Sequence, residues 1–212
     1  MPAKKVATKT KKTTAPVSSP VPDGSENPYA LKNRLQIGCW LDEHGEEGPG
    51  FTRSNYHGMD IIDFGQNYVW DIAQCPWPVE SDTYDHVYMP HLLEHFNGID
   101  VINIMNEVWR VLNKDGTFEL VVPHMESPNS VSDPTHKSFW NEKSVEFFLQ
   151  SDDEHVWVYK SPIYPVKHWQ LTGHDIRYEG EFARQRKEEI MWLLRPRKEF
   201  DKNPEYKSDA AY

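Results

Sequence analysis

The sequence predicts an α/β protein with a mostly parallel, doubly wound sheet, a C-terminal antiparallel hairpin and a reduced first crossover. The main observation is residues 83–123, which read as a buried strand, an amphipathic helix, a turn and a second buried strand. That order is one crossover unit of a parallel sheet. Three short strand-like segments precede this unit, and two alternately patterned segments follow it.

The three leading strands are short. Residues 34–39 (RLQIGC) come first, and a loop at 40–56 follows that is rich in glycine and polar residues. Because this loop shows no apolar stripe of 3.6-residue period, we predict no regular helix in the first crossover. Residues 57–62 and 68–71 are the second and third strands, and a Pro-Trp-Pro turn at 76–78 follows them.

The central crossover is the clearest part of the pattern. Residues 84–89 are a fourth strand, and residues 117–122 alternate as a fifth after a turn at Gly116. Between them, residues 100–112 carry apolar side chains at the three- and four-residue spacing of an amphipathic helix. These side chains are Val101, Ile104, Met105, Val108, Trp109 and Leu112.

The last elements are predicted to be antiparallel. A short helix at 141–149, capped by Asn141, precedes a hairpin formed by residues 170–183 and 189–194. The charged run 184–188 is the hairpin loop.

Charge divides the chain into a folded body and a tail. Residues 1–22 contain five lysines and no acids, so this segment carries +5 and the remainder −15 of the net −10. We predict a disordered basic tail at 1–28, one domain at 29–202 and a C-terminal tail at 203–212, because the tails carry too little apolar sequence to fold. The acidic body disfavours nucleic acid as a partner, whereas the basic tail could contact it.

Membrane and compartment signals are weak. The sequence has no apolar run near the roughly 20 residues of a membrane span, and its lysine-rich start differs from a signal peptide. Two cysteines, Cys39 and Cys75, are too few for a disulfide framework. We therefore expect a cytoplasmic protein without a membrane partner.

Three polar or glycine positions follow successive strands. Gly38 ends the first strand, Asp60 the second and Asp71 the third, and Asp60 lies 22 positions after Gly38. In nucleotide-binding sheets an acidic residue about 20 positions after the glycine accepts hydrogen bonds from ribose hydroxyls. Each position alone also fits a plain strand end, a solvated carboxylate or a turn cap. Together they predict a nucleoside-binding cleft.

Histidines follow the fourth and fifth strands. His91, Glu94 and His95 spell H-x-x-E-H, an order that also occurs in zinc proteases, where it lies inside a long helix. A zinc hydrolase is thus an alternative. His136, in the loop sequence DPTH, is a candidate general base, although a capped turn explains that loop equally well.

Several segments resemble a known family. LQIGC, MDII, VWDIAQCPWP, YDHVYMPHLLEHF and NEVWRVLNKDGTFELVVPH are similar to class I S-adenosylmethionine-dependent methyltransferases. The similarity is greatest to the small type-11-like branch, which includes phage-encoded enzymes, and it covers about residues 34–149. The resemblance implies a Rossmann-like fold, S-adenosylmethionine as cofactor and methyl transfer to an unidentified acceptor.

The resemblance also implies roles for individual residues, with no metal ligand among them. At the first strand end, Ile37, Gly38 and Cys39 would contact the methionine part of the cofactor. At the second, Asp60 would bind the ribose hydroxyls and Ile61 would lie beside the adenine. At the third, Asp71 and Ile72 would hold the adenine, and at the fourth, Pro90 and His91 would close over the sulfonium side.

The catalytic demands are modest, because a sulfonium methyl donor is already activated. His136 and His95 are the candidate bases. The chain departs from the family pattern at Trp40, where many members have a second glycine. Together with the reduced first crossover, this departure suggests a second alternative, a degenerate methyltransferase fold that acts as a non-catalytic binding or assembly protein.

Overall fold

A seven-stranded sheet organises the part of the chain that this computed structural model describes, residues 33–39, 55–149, 166–179 and 186–199. The strands are β1 (Arg34–Ile37), β2 (His57–Asp60), β3 (Tyr68–Val69), β4 (Tyr84–Pro90), β5 (Leu112–Pro123), β6 (Trp169–Glu179) and β7 (Arg186–Pro196). The α-helices are α1 (Gly98–Val111) and α2 (Pro128–Ser132). Single turns of 3₁₀ helix lie at Leu93–His95 and Ser144–Phe148.

The strand order is β3-β2-β1-β4-β5-β7-β6. The pairs among β1 to β5 are parallel, whereas β7 pairs antiparallel with both β5 and β6. This arrangement confirms the predicted fold class, a Rossmann-like sheet with an antiparallel C-terminal end. The order reverses between β1 and β4, which places a crevice at the carboxyl ends of these two strands.

The β4–α1–β5 crossover matches the predicted unit. The predicted helix 100–112 is confirmed as α1, which starts two residues earlier and passes directly into β5. The turn predicted at Gly116 lies inside β5, where the register with β4 shifts between Tyr84 and His86. A Cβ at Gly116 would lie 2.9 Å from Leu112 Cδ2 and 3.1 Å from the Tyr84 carbonyl oxygen, so a larger residue in this bulge would require both neighbours to shift.

A buried ion pair fastens the loop after β3 to α1. Glu107 Oε2 accepts hydrogen bonds from the Trp77 N–H at 2.6 Å and from Arg110 Nη2 at 2.8 Å, and Glu107 Oε1 accepts one from Arg110 Nε at 2.8 Å. Arg110 Nη1 donates to the Val79 carbonyl at 2.8 Å. The segment EVWRVL therefore carries a structural clamp as well as the apolar face of α1.

The C-terminal hairpin closes one side of the sheet. Trp169 and Trp192 are fully buried, and the Trp169 ring packs 5.7 Å from that of Phe118 on β5. Among the described strands β6 is the last at this edge, and most of its side chains are exposed. Its pairing with β7 shifts register at Leu171/Gly173 and again at Arg177/Tyr178.

Two predicted elements are shorter than expected. β3 ends at Val69, so Asp71 lies in the turn beyond the strand and not at its end. The predicted helix 141–149 is a 3₁₀ turn at Ser144–Phe148, preceded by Asn141, whose Oδ1 accepts from the Lys143 N–H at 3.0 Å.

The predicted tails and most of the first-crossover loop, including Trp40, lie outside the described residues. Among the helices that the structure describes, none is long and apolar enough to cross a membrane.

Candidate active site

A cavity of about 790 Å³ opens at the carboxyl ends of β1, β2 and β4. Gly38, Asp60, Pro90 and His91 line it from the strand ends. Side chains of the 129–136 segment and of β7 line its other walls. The cavity lies at the switch point of the sheet and has the size of a small-molecule site.

Gly38 allows β1 to turn across the strand ends. Its φ of 87° is in the left-handed region that favours glycine. A Cβ there would lie 3.4 Å from Leu92 Cδ2 and 3.8 Å from the Pro90 carbonyl oxygen. The Gly38 N–H donates to the Met59 carbonyl at 2.9 Å, which holds the turn against β2.

The Asp60 carboxylate joins two loops at the rim of the cavity. Its Oδ2 accepts from the Cys39 N–H and its Oδ1 from the Ile62 N–H, each at 2.8 Å. Each carboxylate oxygen has a second lone pair. Asp60 therefore fixes the loop after Gly38 and still has acceptor capacity for a ligand.

Three further predicted cofactor residues lie next to Gly38 or Asp60 in the sequence but do not line the cavity. Ile37 is fully buried in the core, and the buried Cys39 contributes its backbone N–H to Asp60. Ile61, next to Asp60, is 65% exposed. An apolar side chain so exposed at the strand end is available to cover a ligand ring.

Asp71 and Ile72 stand apart from the cavity lining. Asp71 Oδ1 accepts from the Ala73 N–H at 3.0 Å, so the carboxylate caps its own turn. Ile72 is buried in the core, and its carbonyl accepts from Trp77 Nε1 at 2.9 Å. The structure thus brings together Gly38 and Asp60 from the predicted trio, while Asp71 has local partners.

His91 forms an ion pair across the cavity. It has a φ of 46°, and its Nε2 lies 3.1 Å from Glu189 Oε1. Burial opposes protonation of His91, but the hydrogen bond and charge of Glu189 outweigh it and raise the pKa of His91. Burial likewise opposes ionisation of Glu189, yet its bonds to His91 and Arg177 hold the pKa of this carboxyl below its usual value.

Glu94, His95 and His136 form a second cluster on the cavity wall. One side-chain nitrogen or oxygen from each lies within 4.8 Å of the others. The rings of His95 and His136 meet edge to face, with centroids 4.8 Å apart. Glu94 is 2% exposed, and its Oε2 has no hydrogen-bond partner among the described residues. Burial raises the pKa of Glu94.

Hydrogen bonds assign the tautomers of the two imidazoles. His136 Nδ1 lies 2.9 Å from the Ser130 carbonyl oxygen and must donate to it, which leaves a lone pair on Nε2. His95 Nδ1 lies 3.0 Å from Thr135 Oγ1, and the Thr135 hydroxyl donates to Asp133 Oδ1 at 2.6 Å. His95 Nδ1 therefore donates to Thr135, and its Nε2 also keeps a lone pair.

This cluster differs from the H-x-x-E-H arrangement that the sequence suggested. His91 lies in a turn and only Leu93–His95 is helical, as one 3₁₀ turn, so no helix face presents His91 and His95 together. Instead, the N–H groups of Lys137 and Ser138 donate to the Glu94 carbonyl and bring His136 beside His95.

Two acidic lining residues, Glu188 and Glu189, are not among the site residues that the sequence predicts. Their predicted places are the hairpin loop and the start of its second strand. In the structure β7 begins at Arg186 and carries both acids along the cavity. The sequence signal for these two residues is a pair of acids directly before the apolar run IMWLL.

Part of the chain is similar to a known domain family. Residues 53–120 match the family model described as "Methyltransferase domain". Solved structures with a similar backbone include a SAM-dependent methyltransferase from Archaeoglobus fulgidus, with 14% identity over 77% of this chain and 86% of the other and a TM-score of 0.49. The N-methyltransferase NodS from Bradyrhizobium japonicum, in complex with S-adenosyl-L-homocysteine, has 12% identity over 79% of each chain and a TM-score of 0.47. No curated protein matches the sequence.

The matched segment, residues 53–120, is therefore similar to a methyltransferase domain, and the strand order is that of a Rossmann-like sheet with an antiparallel end. The resemblance seen in the sequence is thereby confirmed. The phage-like branch and the roles of individual residues stay predictions.

Proposed function

We propose that this chain transfers the methyl group of S-adenosylmethionine to an acceptor bound in the cavity at the strand ends. The observation that carries the proposal is the meeting of Gly38 and Asp60, from the ends of adjacent parallel strands, on the wall of one cavity. When bound, S-adenosylmethionine supplies a methyl group that its sulfonium charge already activates.

The residues present fit such a cofactor. Asp60 keeps lone pairs that can accept hydrogen bonds from ribose hydroxyls, and Gly38 leaves the backbone open to close approach. The cavity is also rich in acids, which favours a positively charged ligand. These acids are Asp60, Glu94, Asp133, Glu188 and Glu189.

The chain's own contribution is mainly alignment of the two reactants in the cavity. A hydroxyl or amine acceptor also needs a proton acceptor, and His95 and His136 both present an Nε2 lone pair. Burial is the main cause that lowers the pKa of His95, and the neighbouring His136 is the second. The His95 imidazole is therefore neutral near pH 7 and able to accept a proton.

Calorimetry with S-adenosylhomocysteine tests the proposal. We expect micromolar binding by the full chain and about 10- to 100-fold weaker binding by Asp60→Asn, the loss that corresponds to a hydrogen bond to a charged group. Asp63→Asn is the matched control, because Asp63 is an exposed turn residue whose Oδ1 accepts from the Gly65 N–H outside the cavity lining.

Two outcomes would contradict the proposal. One is failure of the folded wild-type chain to bind S-adenosylhomocysteine, with folding checked by circular dichroism and thermal melting. The other is equal affinity in wild type and Asp60→Asn.

A further inference from the structure

We propose that Glu94, His95 and His136 form a binding site for a divalent transition-metal cation on the wall of the cavity. The three side chains offer one carboxylate oxygen and two imidazole nitrogens within 4.8 Å of one another. Two histidines and one carboxylate are a common donor set for such metals, and they leave coordination positions open. The site is distinct from an H-x-x-E-H pair, because His136 takes the place of His91.

The first observation in favour is the buried Oε2 of Glu94, whose other carboxylate oxygen, Oε1, lies 3.8 Å from His91 Nδ1 and 4.0 Å from His136 Nε2. The Glu94 side chain is 2% exposed, and Oε2 accepts no hydrogen bond within the described ranges. A buried carboxylate oxygen without a partner is costly, and a protonated carboxyl would leave a buried O–H equally in need of an acceptor. A cation beside Oε2 removes that cost.

The second observation is the orientation of both imidazoles. The Ser130 carbonyl fixes His136 with its Nδ1 protonated, and the Asp133–Thr135 hydrogen bond fixes His95 in the same way. Metal-binding histidines characteristically donate their second N–H to a carbonyl, or to a group held by a carboxylate, and this orients the lone pair. Each imidazole therefore has its lone pair on Nε2, the nitrogen that the proposal assigns to the cation.

The distances require only a modest contraction. Ligand atoms bonded to a metal at about 2.1 Å lie about 3 to 3.5 Å apart in octahedral or tetrahedral geometry. His136 Nε2 is 4.0 Å from Glu94 Oε1, and all three donors lie within 4.8 Å. The proposal requires the three side chains to rotate until their donor atoms reach this spacing. Asp133 Oδ2, 3.8 Å from His136 Nε2, adds negative charge beside the site.

The consequence for catalysis rests on the proposed function. A cation at this position holds a hydroxyl oxygen of the methyl acceptor and lowers the pKa of that hydroxyl. The O–H bond breaks, the proton passes to water, and the electron pair stays on the oxygen that accepts the methyl group. His95 and His136 then act as ligands and not as bases, and the acceptor class is a molecule with a cation-binding hydroxyl.

Metal binding can be measured without any methyl acceptor. The full chain, purified without a polyhistidine tag and stripped with a chelator, is titrated with Co²⁺ by visible absorption and with Zn²⁺ by calorimetry. We expect binding of one ion per chain. Glu94→Gln and His136→Gln should each weaken it by about 100-fold, and Thr135→Val, which acts through His95, by about 10- to 100-fold.

His174→Gln is the control, because His174 is an exposed histidine of β6 that is not among the lining residues of the cavity. We expect it to retain wild-type metal affinity. His91→Gln is a second comparison, because His91 Nδ1 lies 3.8 Å from Glu94 Oε1. The proposal is overturned if the folded wild-type chain binds no ion, if Glu94→Gln and His136→Gln bind as tightly as wild type, or if His91→Gln loses binding while His136→Gln keeps it. Circular dichroism and thermal melting of each variant separate loss of the site from loss of the fold.

A second measurement separates this inference from the proposed function. S-adenosylhomocysteine binding by the metal-free chain tests the methyltransferase function alone, and metal binding tests the cluster alone. Acetohydroxamate, a small ligand with two oxygen donors, is then added to the Co²⁺-loaded chain. A change in the absorption spectrum supports open positions for an acceptor, whereas an unchanged spectrum overturns the acceptor-holding role.

Discussion

Replacement of Glu107 by glutamine should destabilise the whole domain. Glu107 is 8% exposed and accepts hydrogen bonds from the Trp77 N–H and from two nitrogens of Arg110. Glutamine keeps one oxygen and replaces the other with an amide NH₂. At that position a donor faces either the Trp77 N–H or Arg110, and neither of these can accept.

The size of the effect follows from these bonds. A hydrogen bond to a charged group contributes about 1.5–3 kcal/mol. The Arg110 side chain is 26% exposed, so water compensates part of its loss, whereas the Trp77 N–H is buried with the carboxylate. We therefore expect the free energy of unfolding to fall by about 2–4 kcal/mol, which in a chain of this length lowers Tm by about 4–16 °C.

Urea unfolding followed by circular dichroism measures the change directly. Glu80→Gln is the control, because Glu80 is an exposed glutamate on the segment that Glu107 fastens. The control should stay within about 0.5 kcal/mol of wild type. If Glu107→Gln stays within the same range, the clamp does not stabilise the fold and our account of the EVWRVL segment is wrong.

Two further predictions concern the strand ends. Gly38→Ala should lower the free energy of unfolding by about 1–2 kcal/mol, because φ is 87° there, and should also weaken S-adenosylhomocysteine binding. Gly65→Ala is the control, because Gly65 has a φ of 86° and open space where a Cβ would lie. It should lower the free energy of unfolding by the same amount and leave the affinity unchanged. Equal affinities in the two variants would contradict a role for Gly38 in the site. Glu189→Gln should lower the pKa of His91, measured by NMR titration, because Glu189 supplies the hydrogen bond that favours the charged imidazole. Because the pKa of His91 is raised in the folded state, its ion pair with Glu189 stabilises the fold fully below the unfolded pKa of about 6.5. This contribution is lost as pH rises through the folded pKa, so the difference in free energy of unfolding between wild type and Glu189→Gln should narrow at higher pH. A difference that does not change with pH would contradict the ion pair.

Local patterns made much of the fold predictable. α1 and β5 carry their apolar side chains at the periods of a helix and a strand, and these patterns located the crossover to within a few residues. The start of β7 was placed three residues late, because Glu188 is a buried acid within a charged run. Its burial depends on Ser127, whose hydroxyl donates to Glu188 Oε2 at 2.6 Å from a distant part of the chain.

The site was predictable only where strand ends determine it. Gly38 and Asp60 lie at the ends of adjacent parallel strands, so the topology alone brings them together. The meeting of Glu94 with His136 depends on backbone hydrogen bonds that join two loops about 40 residues apart in the sequence, from Lys137 and Ser138 to the Glu94 carbonyl. No periodicity or spacing encodes such a contact, so the H-x-x-E-H pattern pairs His95 with His91, whereas the structure places the His95 ring beside that of His136.

The irregular edge of the sheet has a consequence for self-association. An open edge strand offers unpaired backbone groups to the edge of a second molecule, which is a route to aggregation. On β6 the two register shifts kink this edge, and Asp175, Arg177 and Glu179 place exposed charges along it. Strand addition by another copy would have to follow a bent edge and desolvate these charges, so the hairpin that ends the sheet also discourages its growth into a polymer.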